Sequence, residues 1–229
     1  MIKKKILVVA AHPDDEVIGC GGTIAKYISQ GHKVSTIILS QGIASRSHNQ
    51  KTILKKITKL KKSSIKANNA LGVKSLLHYD FPDNKFDTVP ILKIIKTIEQ
   101  EIKKFEPSVI FTHFNNDLNI DHEIASRAVI TAARPEPGKS VNKIFFFEIS
   151  SSTDFQIHNP KSAFIPNTFI DISKSLNKKV KALRLYGSEM RKSPHSRSIN
   201  SIVNLAKTRG SSCGLIAAEA FVLARGISK

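Results

Sequence analysis

Tryptophan is missing from this 229-residue chain, cysteine occurs only at Cys20 and Cys213, and 18 acidic residues face 36 basic ones. Two cysteines cannot build a disulfide framework, a zinc ribbon or an iron–sulfur site, so the composition fits a reducing, cytoplasmic setting. Nowhere do about 18 apolar residues run together, which excludes a transmembrane helix. Peripheral contact with a membrane surface and assembly into a homo-oligomer are both compatible with this sequence. The apolar run that follows Lys3-Lys4-Lys5 stops after six residues, before His12-Pro13. That is too short for the core of a signal peptide and reads as a first strand.

The shortage of acids leaves a net charge of +18. Its densest source is Lys51, Lys55, Lys56, Lys59, Lys61, Lys62 and Lys66, which surround Ile53, Ile57 and Leu60. The apolar spacing i, i+4, i+7 predicts an amphipathic helix that packs one stripe on a core and holds its lysines in water. No aromatic residue is interleaved there to stack a base, and no RNA- or DNA-binding motif occurs elsewhere, which argues against nucleic acid as the main partner. Together with Arg184, Arg191, Arg197 and Arg209, the charge suits a phosphate-linked substrate.

Apolar runs alternate with helical patterns, the signature of βαβ units and a mostly parallel sheet. Strands are predicted over Lys5–Ala11, Lys33–Ser40, Ser75–Phe81, Ser108–Phe114 and Lys143–Ile149. Another is predicted over Phe164–Ile172, which Pro166 places at an edge or bulge. Helices are predicted over Gly19–Gln30, Lys51–Lys66, Val89–Phe105, His122–Ala133, Ser173–Tyr186 and Ser198–Lys207. No repeat or linker divides the chain, so a single α/β domain is expected over 1–229, with 150–229 as its C-terminal elaboration.

Two clusters carry chemistry. The first, His12-Pro13-Asp14-Asp15-Glu16, follows the first strand, where ligand sites of open parallel sheets lie. One imidazole and three carboxylates in five residues repel one another unless a cation sits among them. The bland alternative is a set of acids favouring a helix N-terminus. The second cluster, His113 to Glu123, follows the fourth strand. Together they could supply two imidazoles and a carboxylate, the ligand set of a catalytic Zn²⁺, which also suits Fe(II). Asp117-Leu118-Asn119-Ile120-Asp121 mimics the opening of a calcium loop, but His122 stands where that loop needs glycine and Ala128 where it needs glutamate. Gly210-Ser211-Ser212-Cys213-Gly214 matches a nucleophile elbow, yet no histidine follows His195 to complete a triad in the order that fold requires.

Ala11-His12-Pro13-Asp14-Asp15-Glu16 and the distal Asp121-His122 resemble the hallmark of the PIG-L/LmbE-like zinc-dependent N-deacetylases. The resemblance implies a Rossmann-like three-layer α/β/α sandwich and hydrolysis of an N-acetylated amino sugar. It assigns His12, Asp15 and His122 to the metal, Asp14 to general-base catalysis and Asp121 to a supporting or relay role. Glu148 to Phe155 and Ser193 to Ser198 look like a bacterial branch associated with surface polysaccharides. One position departs from the pattern: where the family commonly has His-Pro-Asp-His, this chain has Asn119-Ile120-Asp121-His122. His195 is the preferred replacement for the missing imidazole, with His113 and a neutral donor at Asn119 as alternatives. His113, Asn119, Asp117 and Arg197 are expected to contact substrate. If the missing histidine is not replaced, the chain is instead a catalytically decayed module that binds sugar or lipid phosphate.

Overall fold

The computed structural model describes residues 3–42, 50–157, 159–160 and 162–228. His48 and His158, expected to have surface or structural roles, lie outside the described residues. In chain order the elements are Lys5–Ala10 (β1), Asp15–Ser29 (α1), Lys33–Ser40 (β2), Gln50–Leu71 (α2), Ser75–Phe81 (β3), Ile91–Phe105 (α3) and Val109–His113 (β4). They continue with Ile120–Ala132 (α4), Lys143–Phe147 (β5), Thr168–Asp171 (β6), Leu176–Leu185 (α5), Ile199–Ser211 (α6) and Ala218–Gly226 (β7). The strands form one seven-stranded sheet in the order β3-β2-β1-β4-β5-β7-β6. The first five are parallel, and β7 runs antiparallel to both neighbours.

Side chains of a strand alternate between faces, and here both faces are apolar. Ile6 and Val8 of β1 join one core with Ile24 of α1, Leu60 and Leu71 of α2, Leu183 of α5 and Ile202 of α6. Leu7 and Val9 join the opposite core with Ile94, Ile98 and Ile102 of α3 and Ala125 and Val129 of α4. The result is a three-layer sandwich whose parallel strands are buried on both sides, as continuous apolar runs require. Each fully buried aliphatic or Phe side chain contributes about 1.5–3 kcal/mol. Cores of this size offset the cost of the polar cluster buried at the end of the sheet.

Three departures from the sequence reading matter. The first helix starts at Asp15, four residues before the expected Gly19, so the acidic motif is its first turn. Its ladder breaks at Cys20 (φ −146°, ψ 24°). A break of this kind orphans backbone groups that need other partners. Glu219 accepts the N–H groups of Gly22 and Thr23 at 2.9 and 2.7 Å, while Lys179 Nζ donates to Ile18 C=O at 2.7 Å and to Glu219 at 2.6 Å. The second departure is β7, which carries Glu219 and was not anticipated. Its only β-branched residue is Val222, so it lacks the usual strand composition. The third is the length of β6, which is shorter than expected; it lies at the sheet edge, one of the two placements inferred from Pro166. Strands β6 and β7, both from 150–229, extend the common sheet. Gly22 lets α1 approach β6 closely: a Cβ there would lie 2.8 Å from Ile172 side-chain carbons. Ser211 ends α6 and no strand leads into it, so Gly210 to Gly214 has no elbow geometry, in keeping with the rejection of that motif.

Candidate metal centre and active-site cleft

Strand order reverses around β1, whose neighbours are β2 and β4. A crevice opens at such a switch point, outside the strand C-termini. The turn after β1 supplies His12 to Glu16, the turn after β3 supplies Asp83 and Asn84, and the segment from β4 into α4 supplies His113 to His122. A cleft of about 190 Å³ lies between them, lined also by Gly42, Leu60, Ser151, Glu189 and Arg197.

Three donor atoms converge in this cleft. His12 Nδ1 lies 3.3 Å from His122 Nε2 and 3.3 Å from Asp15 Oδ2, and His122 Nε2 lies 3.2 Å from Asp15 Oδ2. Ligands of a tetrahedral zinc with bonds of about 2.0–2.1 Å stand about 3.3 Å apart, so the triangle fits such an ion. The outward nitrogen of each ring is held by a carboxylate. His12 Nε2 meets Asp121 Oδ2 at 2.9 Å, and His122 Nδ1 meets Asp117 Oδ1 at 3.1 Å. Each carboxylate fixes the proton on the outer nitrogen and leaves the inner lone pair facing the triangle. A second grouping, His12 with Asp83 and Asp121, is also within ligand range. There Asp121 is already committed, because it accepts the N–H groups of Asn84 and Phe86 at 2.7 and 2.9 Å as well as His12.

Charge follows this geometry. Burial acts to raise the Asp15 carboxyl, but His122, His113 and His12 outweigh it and hold it well below the carboxylate range. Burial likewise opposes ionisation of Asp117, and its bonds to His122, Ser152 and Thr153 prevail, lowering it to about 2. Burial would lower His12, but Asp121 and Asp15 push it up to about 10. The same carboxylates favour a proton on this ring, so metal binding there competes with protonation and strengthens as pH rises.

Asp14 stands beside the triangle. It adopts φ 109°, a region that Asp and Asn tolerate better than most residues. Glu16 anchors the turn: its carboxylate accepts Asp14 N–H at 3.1 Å, Asn68 Nδ2 at 2.8 Å and Tyr186 O–H at 2.6 Å. Burial raises the Asp14 carboxyl to about 8; Arg197 opposes the rise, and Asp15, Glu189 and Glu16 add to it. A dication in the triangle would pull it back down.

The other predicted site residues separate into two groups. Asn119 lines the cleft but acts as the cap of α4, accepting Asp121 N–H at 2.9 Å and donating to Asn84 at 3.0 Å. Arg197 reaches the cleft, with Nη1 3.3 Å from Asp14 Oδ2. Three expectations need correction. His113 does not meet substrate: it is fully buried behind the triangle, stacked on His122, with Nε2 taken by Ala11 N–H at 2.8 Å. Asp117 is buried too and orients His122. It also accepts the hydroxyl groups of Ser152 and Thr153. His195 does not line the cleft; its Nδ1 accepts the N–H of Arg197 at 3.0 Å. Asp83, Ser152 and Glu189, which line the cleft, and Thr153, which bonds Asp117, were not anticipated as site residues. Position after a strand C-terminus was a signal for Asp83, whereas Glu189 reaches the cleft from a segment with no motif.

Asp117→Asn is expected to lower zinc affinity by about 10–100-fold, the usual cost of losing a partner that orients a histidine ligand. Competition with a chelator of known affinity measures it. Unchanged affinity would leave Asp117 a packing residue.

Fold and site together define a Rossmann-like, LmbE-like α/β protein with a two-histidine, one-carboxylate grouping within metal-ligand range at its switch point. The chain belongs to the GlcNAc-PI de-N-acetylase family, PIG-L, whose profile matches residues 7–133 and so spans both motifs. A probable N-acetyl-alpha-D-glucosaminyl L-malate deacetylase 2 of Bacillus cereus is 27% identical over 163 residues, covering 69% of this chain and 74% of its own. A diacetylchitobiose deacetylase of Thermococcus kodakarensis is 28% identical over 200 residues, covering 81% and 70%. Among solved structures, GalB, the 4-carboxy-2-hydroxymuconate hydratase of Pseudomonas putida, shares the fold with a TM-score of 0.77 at 21% identity, over 99% of this chain and 98% of its own. A hydratase on this fold means that architecture alone does not select the reaction; the residues of the site must.

Proposed function

We propose that this protein is a metal-dependent N-deacetylase that hydrolyses the acetamide of an N-acetylated amino sugar to acetate and a free amine. The observation that carries the reading is the oriented triangle of His12, Asp15 and His122 with the Asp14 carboxylate beside it. An amide is a poor electrophile, so its hydrolysis near neutral pH needs an activated water and a stabilised oxyanion. Zinc, or Fe(II), bound by the triangle supplies Lewis acidity toward the carbonyl and lowers the pKa of water. Asp14 accepts the proton of the attacking water on a carboxylate oxygen and returns it to the departing amine. Asp121 acts through His12 as a positioning group, and no covalent enzyme intermediate is needed.

The sugar is proposed to be phosphate-linked, through a nucleotide or a lipid, and to serve surface-polysaccharide assembly. Support comes from α2, which has no acidic residue, seven lysines from Lys51 to Lys66, and Leu60 in the cleft wall. Such a protein would act in the cytoplasm as a single domain, with or without peripheral membrane contact or self-assembly.

Acetate release from N-acetylglucosamine, diacetylchitobiose and UDP-N-acetylglucosamine, measured with metal content, tests both levels. The expected result is release that a chelator abolishes and zinc restores, with the highest kcat/KM for the nucleotide-linked sugar. Equal kcat/KM for free and nucleotide-linked sugar would refute the phosphate preference. Metal binding without release from any of the three would favour the binding-module alternative, and failure to bind metal after reconstitution would remove the mechanism.

A further inference from the structure

We infer that Arg197 is the catalytic residue that replaces the missing histidine of the second motif, donating to the oxyanion as it forms. This inference rests on the deacetylase reading and assigns the donor which that reading leaves unfilled. None of the three substitutes offered by the sequence is well placed. The Asn119 side chain caps α4 and bonds Asn84, and it carries no charge. His113 lies behind the triangle with its ring edge taken by the backbone. His195 turns its Nδ1 to the Arg197 N–H and packs its ring against Phe155, 5.9 Å between centroids.

Arg197 meets the requirements they fail. Its side chain is 14% exposed and lines the same cleft as His12, Asp15, His122 and Asp14. Among the described residues that line the cleft, it is the one permanent cation. A guanidinium has five N–H donors. Nη1 reaches Asp14 Oδ2 at 3.3 Å and Nε points to Ser150 C=O at 3.5 Å, while Nη2 makes no hydrogen bond among the described residues. Donors remain for a ligand oxygen next to the base.

Two chemical consequences follow. A guanidinium stays protonated, so Arg197 stabilises charge and does not shuttle a proton. Asp14 therefore carries both proton transfers: from water to its carboxylate as the C–O bond forms, and from the carboxylate to nitrogen as the C–N bond breaks. His195 becomes a positioning residue, since its bond to the Arg197 backbone holds the loop that aims the guanidinium.

The test compares zinc-loaded wild type, Arg197→Ala and Arg197→Lys, with thermal melting as a check on folding. Two readouts are taken: acetate release from whichever N-acetyl sugar the wild type hydrolyses, and the Kd of methylphosphonate, a tetrahedral anion with an acetyl-sized methyl group. Arg197→Ala is expected to lose about 100–1,000-fold in kcat, the usual cost of one oxyanion donor. KM should change little, methylphosphonate should bind correspondingly more weakly, and millimolar guanidinium should restore part of kcat. The lysine variant should fall between the two. Adding His195→Ala to Arg197→Ala should cost nothing further, because the residue it positions is gone. A wild-type kcat in Arg197→Ala would overturn the inference. So would a loss of kcat with unchanged methylphosphonate affinity, which would reduce Arg197 to a partner of Asp14. Absence of acetate release by wild type strikes the deacetylase reading instead, and methylphosphonate binding then reports on Arg197 independently.

Discussion

Asp14→Asn is expected to lower kcat for amide hydrolysis by about 10²–10⁴-fold, the usual contribution of a positioned proton acceptor, while metal content stays stoichiometric. The asparagine variant is the informative one because Asn keeps the shape and tolerates the positive φ of this turn, whereas an Ala variant would add backbone strain. An amide cannot take up the proton of water, so only the chemistry is removed. Stability should hold or rise in the variant without metal, because burial disfavours the ionised Asp14 carboxyl more than Arg197 favours it and the neutral amide carries no such cost. Metal analysis beside acetate release separates the outcomes. Intact kcat would exclude Asp14 as base, and loss of metal together with kcat would show that Asp14 shapes the ligand set.

The other large effect is expected at the triangle. Asp15→Ala and His122→Ala each remove one of three ligands and should abolish detectable turnover, with metal affinity reduced beyond the roughly 10–100-fold that supporting residues cost. Folding reports the same loss. A metal at 100 times its Kd stabilises the native state by about 2.7 kcal/mol, which for a chain of this size raises Tm by roughly 5–10 °C. Wild type should show that rise on adding zinc, and neither variant should. Asp15→Ala should also melt lower than wild type without metal, since it leaves His12, His113 and His122 together without the carboxylate that lies within 3.5 Å of each. A full zinc-induced shift in either variant would place the metal elsewhere.

The motif residues of this site were legible because they act close to where they sit in the chain. His12 to Glu16 occupy one turn and the start of one helix, and Asp121-His122 the start of another. Strand ends at a switch point converge in any fold of this class. Roles were less legible than positions. His113, Asp117 and Asn119 lie within ten residues of His122, yet one backs the triangle, one orients a ligand and one caps a helix. Those roles depend on which way each side chain points, and a single residue of register decides that. The C-terminal part was the least legible. Strand β7 has little β-branched character, and its Glu219 answers backbone groups freed by a kink about 200 residues earlier in the chain.

By itself the sequence determined the alternation of strands and helices, the two apolar faces of the parallel strands, and the placement of a candidate metal-ligand set after β1 and β4. These follow from periodicity and from residues adjacent in the chain. Only the tertiary structure decided which nitrogen of each histidine faces the metal position, that His113 and His195 stand out of the cleft, and that Arg197 enters it beside Asp14. Three of those are set by a partner distant in sequence, Asp121 on His12, Ala11 on His113 and Asp14 on Arg197, while His122 and His195 take theirs from Asp117 and Arg197 nearby in the chain. Hydrogen bonds between such groups exist only once packing has brought them within about 3 Å of one another.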